Sequence, residues 1–262
     1  MGCDIHFYVD VRQPDGSWKT ADRWFPQLGP EELKEEGEEK QYLDTYEDVR
    51  KPDGSWDIDA SGTRSFYSDR HYDVFSILAD VRNGYGFAGV DTGEGFRPLS
   101  KPRGVPEDAC PEYKAVATRW DVDGHSHSWC TVQELLDYNW LQTTKKRGVV
   151  GAREFINWQQ CGAPDSYGGD VRGPGVTMLT NEQMANRIDA VKCVEYPNIW
   201  SVYHALDDAD FTQKHDLAGA YTQVEWEVPY YRAAATFLSE AMPKLWRLGK
   251  PGDVRCLFFF DN

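Results

Sequence analysis

The chain has 262 residues and a formal net charge of −15, and 40% of its residues are hydrophobic. This length and composition exclude wholesale disorder and a collagen-like repeat, because the chain is long and apolar enough to close a substantial core. The acidic excess argues against a general nucleic-acid binder, since a negative surface repels a phosphate backbone. We therefore expect a globular protein whose partner is a small molecule or another protein.

The sequence carries no targeting or membrane-spanning signal. It has no run of about eighteen apolar residues, and MGCDIHFYVD at its start lacks the basic flank and apolar centre of a signal peptide. Its six cysteines are scattered without a C-x-x-C pair, which is typical of reduced thiols. The sequence predicts a cytoplasmic protein without a membrane partner.

Strand patterns dominate the N-terminal third. Residues 3–10 alternate apolar and polar side chains, which predicts a half-buried strand with Cys3 on the core side. The segment DVRQPDGSW at 10–18 recurs as DVRKPDGSW at 48–56, and each Pro-Asp-Gly predicts the turn of a β-hairpin. Between the two copies, PEELKEEGEEK at 30–40 predicts a solvated helix or loop, with a polyanion-like surface for a basic partner as the alternative.

Helical spacing begins near Arg70 and returns several times. Capping boxes are predicted at Thr131 with Glu134 and at Thr180 with Gln183. Two Gly- and Pro-rich stretches at 84–113 and 161–176 predict long loops, and loops of this length are usually functional or mobile. The predicted helices cover 70–82, 131–142, 151–160 and 180–192.

The C-terminal region predicts a β-α-β unit. Tyr221 to Val228 alternates as a strand, Pro229 opens a helix, and VRCLFFF forms the final strand. The helix carries an apolar stripe made of Phe237, Leu238, Ala241, Leu245 and Trp246. Strands and helices do not alternate regularly, so we expect an α+β fold with a mixed or antiparallel sheet and a single domain over 1–262.

One segment carries the side chains of a metal site. Asp121, Asp123, His125 and His127 fall at every second position, and in an extended strand they project from one face. Asp4 and His6 form a second such pair on the first predicted strand. If the two strands are neighbours, Asp4, His6, His125 and His127 converge on one ion. Ordinary surface or hydrogen-bonded histidines are the alternative.

A set of His and carboxylate ligands suits Zn²⁺, Mn²⁺ or Fe²⁺ better than Mg²⁺. An open position on the ion would bind water and lower its pKa, and Asp121 or Asp123 would accept the proton. Trp129 and Arg82 are the predicted substrate-binding residues, and Trp129 is placed to stack on a nucleobase. Glu225 and Glu227 form a same-face carboxylate pair that we assign to a sheet edge.

The motifs MGCDIHFYV, RHYDVFSILADVRNG, PRGVPED, DGHSHSWCTVQELL and DVRCLFFFDN together resemble a family of uncharacterised proteins of phages and bacteria. This resemblance spans the chain and implies a phage or prophage gene whose product acts in a bacterial cytoplasm, without implying a mechanism. The letters DGHSHS also resemble the D-x-H-x-H element of PHP and amidohydrolase metal enzymes. In this chain the element lies mid-chain, and only His204 and His215 follow it.

Two hypotheses follow. The first is a metal-dependent hydrolase or related metalloenzyme of phage origin that acts on a small or phosphate-containing substrate. The alternative is a non-catalytic phage accessory or counter-defence protein that binds a host protein or a small signalling molecule.

Overall fold

A computed structural model describes residues 2–22, 24–26, 61–63, 65–194 and 196–261. The second PDGSW copy and the acidic segment lie outside the described residues. Helices and strands are mixed, with antiparallel and mixed sheets, so the predicted α+β class is confirmed. The chain groups into two compact units: unit 1 comprises 1–81, 98–139 and 234–262, and unit 2 comprises 82–97 and 140–233. The single domain over 1–262 stays a prediction.

The described strands are β1 (Asp4–Arg12), β2 (Trp18–Thr20), β3 (Trp24–Pro26), β4 (Ser61–Thr63), β5 (His125–Thr131), β6 (Thr143–Gly151), β7 (Thr177–Leu179), β8 (Ala220–Pro229) and β9 (Val254–Asp261). The described α-helices are α1 (Tyr72–Ala79), α2 (Pro111–Trp120), α3 (Val132–Asp137), α4 (Ala152–Cys161), α5 (Asn181–Val194), α6 (Ile199–Ala205), α7 (Ala209–Lys214), α8 (Tyr230–Ala233) and α9 (Met242–Trp246). A π-helical turn, Phe237–Ala241, precedes α9.

The main sheet of unit 1 has the order β2-β1-β9-β5, and every neighbouring pair is antiparallel. β1 and β2 form the predicted hairpin, whose turn places Gly16 at a φ of +87°, a conformation that favours glycine. β9 lies at the centre because its run of apolar residues is buried on both faces. The remaining described strands of unit 1, β3 and β4, form a separate antiparallel pair.

Each face of this sheet packs against aromatic side chains. Phe7 and Phe258 stack on one face, with ring centroids 6.0 Å apart, and both are almost fully buried. On the other face α2 supplies Tyr113 and Val116 to a cluster that includes Phe259. The prediction of a loop to residue 113 was therefore wrong at its end, because Pro111 begins a helix.

Unit 2 is built on the sheet β6-β8-β7, in which β6 and β8 are antiparallel and β7 and β8 are parallel. One face of β8 carries buried Val224 and Trp226, which join a core with Phe155 of α4 and Met184 of α5. The other face carries exposed polar side chains, which alternate with the buried ones. This polar face is the floor of the pocket described below.

The predicted helix starts are confirmed, but the helix predicted over 131–142 ends at Asp137, because Tyr138 is extended. The Thr131 and Glu134 capping box is present, and so is the reciprocal pair of hydrogen bonds between Thr180 and Gln183. The C-terminal order of strand, helix and strand is also observed, although β8 and β9 belong to different sheets. In the predicted apolar stripe, Phe237 is fully buried but Trp246 is 55% exposed. The π-helical turn between them changes the helical phase.

Candidate functional site

The predicted ligands of β1 and β5 do not lie on neighbouring strands. β9 lies between β1 and β5, so His6 and His127 are two strand spacings apart, about 10 Å. Both histidines contact Phe259 of β9, with ring centroids at 4.7 Å for His6 and 4.8 Å for His127. The expectation that these strands lie side by side was therefore wrong, and a phenyl ring occupies the space between the imidazoles.

A β-bulge also separates His125 from His127. The pairing of β5 with β9 shifts between His125 and Ser128, and Ser126 has a φ of +54°. The His125 ring contacts Phe260, whereas the His127 ring contacts Phe259, and consecutive residues of a strand face opposite sides. The expectation that the two imidazoles share one face was wrong, because the bulge adds one residue.

Asp121 and Asp123 precede β5 and are not part of it. α2 ends at Trp120, and the next three residues form a turn in which Asp121 has a φ of +38°. Both carboxylates are exposed. The extended alternation predicted from Asp121 to His127 was therefore wrong over its first half, because the chain makes a turn there.

His6 is held by a carboxylate and two aromatic rings. Its Nε2 lies 3.2 Å from Oδ2 of Asp261, at the end of β9. The centroid of its ring lies 4.2 Å from that of the Trp120 ring, and the imidazole stacks on Phe259 with an interplanar angle of 11°. These contacts fix the orientation of the imidazole and tie the end of β9 to β1.

Asp4 is paired with an arginine. Arg70 donates from Nε and Nη2 to the two carboxylate oxygens of Asp4, at 2.6 and 2.5 Å. The hydrogen bond from Arg70 is the largest of the effects that lower the pKa of Asp4. The Asp4 amide also donates to Oδ1 of Asp261. This carboxylate is therefore already engaged by a guanidinium.

His127 is in a partly buried environment that disfavours its charged form. Burial lowers its pKa, and the charge of His125 adds to this effect, while a hydrogen bond with the Gly124 main chain opposes it. Across the residues that the structure describes, no group of three or more His, Cys, Asp or Glu side chains is arranged to hold a metal ion. The metal site stays a prediction from the sequence.

The two predicted substrate-binding residues belong to different units. Trp129 packs against the unit 1 cluster around Phe259, and the Arg103 guanidinium lies 4.9 Å from its ring centroid. Arg82 belongs to unit 2, where Nη1 is 3.4 Å from the Gly86 carbonyl oxygen. Substrate binding by either residue stays a prediction.

Unit 2 contains a pocket that residue motifs did not predict. Its volume is about 370 Å³, within the range of small-molecule sites. Arg147, Val149 and Gln223 come from the polar face of β6 and β8. Gly148 of β6 also lines the pocket. The loop at 84–113 provides Val90 and Asp91, and the loop at 161–176 provides Gly169, Asp170 and Arg172.

Both long Gly-rich loops reach this pocket because both pair with the outer edge of β6. The Arg147 amide donates to the Thr92 carbonyl oxygen at 2.9 Å, and the Val149 amide donates to the Gly168 carbonyl oxygen at 2.7 Å. The loops also approach each other closely, since a Cβ on Gly169 would lie 2.6 Å from Val90. The two loops thus both form walls of the pocket, and their being functional or mobile stays a prediction.

The two arginines of the pocket have different partners. Nε of Arg172 lies 2.6 Å from Asp170, and the rest of its side chain is exposed. Nε of Arg147 lies 3.6 Å from Asp91 and 3.9 Å from Glu225, and neither distance is that of a hydrogen bond. Nε is buried and donates to no hydrogen-bond acceptor within the described part of the chain. Arg147 is therefore a charged group with an unused donor at Nε.

The sequence contained a signal for Arg147. Glu225 lies opposite Arg147, and Glu227 lies opposite Lys145, in the register of β6 and β8. The glutamate pair does lie in a sheet, but β8 is the middle strand of β6-β8-β7, so the assignment to a sheet edge was wrong. Lys145 and Arg147 of β6 are the basic residues that face the pair. Their pairing was not visible because some seventy residues separate the strands.

No helix in the described ranges is long and apolar enough to cross a membrane. No protein-family model matches the chain, and no curated protein or solved structure matches it either.

Proposed function

We propose that the protein binds a small molecule with an anionic group in the unit 2 pocket. The observation that carries this proposal is Arg147, a guanidinium on the pocket floor whose two carboxylate neighbours lie beyond hydrogen-bond distance. A charged donor that lacks a partner gains more from an incoming anion than one that is already paired. Arg172 supplies a second guanidinium to the same pocket.

This function corresponds to the alternative predicted from the sequence, an accessory protein that binds a small signalling molecule. The acidic net charge does not oppose it, because a pocket presents local groups to a ligand while the surface charge acts at longer range and is screened by salt. The Gly-rich loops support it, since their close approach to the β6 edge forms the walls of the pocket.

The test is isothermal titration of the full chain with inorganic pyrophosphate. We expect saturable binding to one site, which Arg147→Gln weakens at least tenfold because a charge-assisted hydrogen bond contributes about 1.5–3 kcal/mol. Arg153→Gln is the matched control, because Arg153 has a similar exposure but pairs with Asp207 and does not line the pocket. Equal losses in the two variants would contradict the proposal, and so would the absence of saturable binding by every anionic probe tested, pyrophosphate and the nucleotide used below included.

A further inference from the structure

The pocket offers acceptors as well as donors. Asp91 and Asp170 line it beside the two arginines, and Glu225 lies 3.9 Å from Arg147. A bare inorganic anion would neutralise the guanidinium groups but would face these carboxylates at short range, which is unfavourable. A ligand that matches this pocket carries hydroxyl or amino donors next to its anionic group.

An exposed aromatic ring lies beside the pocket wall. Residues 84–92 turn back on themselves, with the Gly86 amide donating to Val90 and the Thr92 amide to Gly84, each at 2.8 Å. Tyr85 and Asp91 form an antiparallel bridge, so their side chains project to the same side about 5 Å apart at Cβ. Tyr85 is 54% exposed, although it pairs with Asp91, which lines the pocket.

The hairpin is shaped to present this ring. Gly84 and Gly89 have φ angles of +77° and +74°, and Ala88 between them has a φ of +56°. Three positive φ angles in six residues form a tight turn that keeps Tyr85 and Phe87 out of any core, and Phe87 is 62% exposed. Exposed aromatic rings at the edge of a polar pocket are suited to stacking on a planar ligand.

From the arginines, the carboxylates and the exposed Tyr85 ring we infer that the ligand is a nucleotide. This inference rests on the proposed function. Arg147 and Arg172 would bind the phosphate oxygens, as guanidinium groups do elsewhere. Asp91 and Asp170 would accept hydrogen bonds from ribose hydroxyl groups or from the exocyclic amine of the base. Tyr85 would stack on the base at the mouth of the pocket.

The test compares ADP, adenosine and inorganic pyrophosphate by isothermal titration of the full chain in magnesium-free buffer. We expect ADP to bind at least tenfold more tightly than pyrophosphate, since stacking and the donors to the carboxylates add to the phosphate contacts. Adenosine should bind more weakly than ADP. Equal affinities for ADP and pyrophosphate would overturn the nucleotide assignment and leave the anion pocket in place.

Two variants separate the contributions. Tyr85→Ala should reduce ADP affinity about tenfold and leave pyrophosphate unchanged, whereas Tyr85→Phe retains the ring and should retain ADP binding. Trp200→Ala, which removes another exposed ring of unit 2, is the control. A loss of ADP affinity in Trp200→Ala equal to that in Tyr85→Ala would overturn the stacking role.

Asp91→Asn should change the affinities for pyrophosphate and ADP in opposite directions. It keeps the oxygen that accepts from the Gly93 amide, so the turn is preserved. We expect tighter pyrophosphate binding, because a repulsive charge is removed, and weaker ADP binding, because a strong acceptor is lost. The same direction of change for both probes would contradict the assignment of donors to Asp91. If neither probe binds the wild-type chain, the proposed function itself fails.

Discussion

Each unit contains an arginine between two carboxylates, and the two arginines are in opposite situations. Arg255 in unit 1 is almost fully buried, donates to Asp10 at 3.1 Å and to Asp108 at 2.7 Å, and lies 4.0 Å from the Trp18 ring. Arg147 in unit 2 is partly exposed, and neither of its carboxylates is within hydrogen-bond distance. The chemistry of the side chains is the same, and the geometry differs.

This difference separates a structural role from a binding role. Breaking a buried ion pair is costly because the remaining charge is left without solvent or partner, so Arg255 contributes to stability. A loosely paired and partly exposed guanidinium contributes little to stability and has donors left for a ligand. We therefore expect substitutions in the buried polar cluster of unit 1 to change stability, and substitutions on the pocket floor to change binding.

The largest effect concerns Asp22, a buried carboxylate of unit 1 that pairs with no arginine among the described residues. Burial raises its pKa to about 8, although the Val9 amide donates to it at 2.8 Å. The folded protein therefore holds a proton that the unfolded chain, with an ordinary pKa of 3.8, releases. The free energy of unfolding should fall as pH rises from 4 to 8, by about 5 kcal/mol from this group.

The measurement is urea denaturation followed by Trp fluorescence from pH 4 to 8. Asp22→Asn carries no titrating group and should show a flatter profile, with the difference from wild type growing as pH rises. Asp123→Asn, at an exposed position of the turn before β5, should follow the wild-type profile. Parallel profiles for wild type and Asp22→Asn would show that the buried carboxyl does not take up the proton.

Arg255→Met gives the second largest effect. We expect a loss of about 4 kcal/mol in the free energy of unfolding, because the Asp10 side chain would remain buried without its ion-pair partner. Adding Asp10→Asn to this variant should recover part of the loss. Arg12→Met, at the exposed end of β1, should change stability by less than about 0.5 kcal/mol. Equal losses for the two arginines would contradict a special role for the buried pair.

Arg147→Gln gives the smallest effect on stability. Its ion pairs are long and partly exposed, so the free energy of unfolding should change by less than about 0.5 kcal/mol at neutral pH. Urea denaturation in the absence of added anions is the measurement. A loss above about 2 kcal/mol would mean that Arg147 is structural, and the contrast with Arg255 would disappear.

Local features of the fold could be predicted from the sequence because their causes are local. The capping box of Thr131 and Glu134 joins residues three apart, and the turn of the first hairpin needs only Pro14, Asp15 and Gly16. The helix from Pro111 was missed although Tyr113, Val116 and Trp120 have helical spacing, because the surrounding Gly and Pro residues favoured a loop.

The candidate sites depended on long-range facts. The metal hypothesis required β1 and β5 to be neighbours, and only strand order shows that β9 separates them. It also required uninterrupted alternation, and Ser126 is not a residue type that signals a bulge with positive φ. The pocket was hidden for the same reason, since Arg147, Asp91 and Gln223 are brought together only by the pairing of β6 with β8 and a loop.

The pairing of Asp4 with Asp261 has a consequence for synthesis of the protein. On the ribosome, β1 emerges long before its neighbour β9, so one hydrogen-bonding edge of β1 lacks that neighbour while residues 13–253 are made. Residues 140–233, the larger segment of unit 2, are complete before β9 appears and are free to begin folding first. Until β9 is made, the nascent chain therefore has an exposed strand edge that could pair with other molecules.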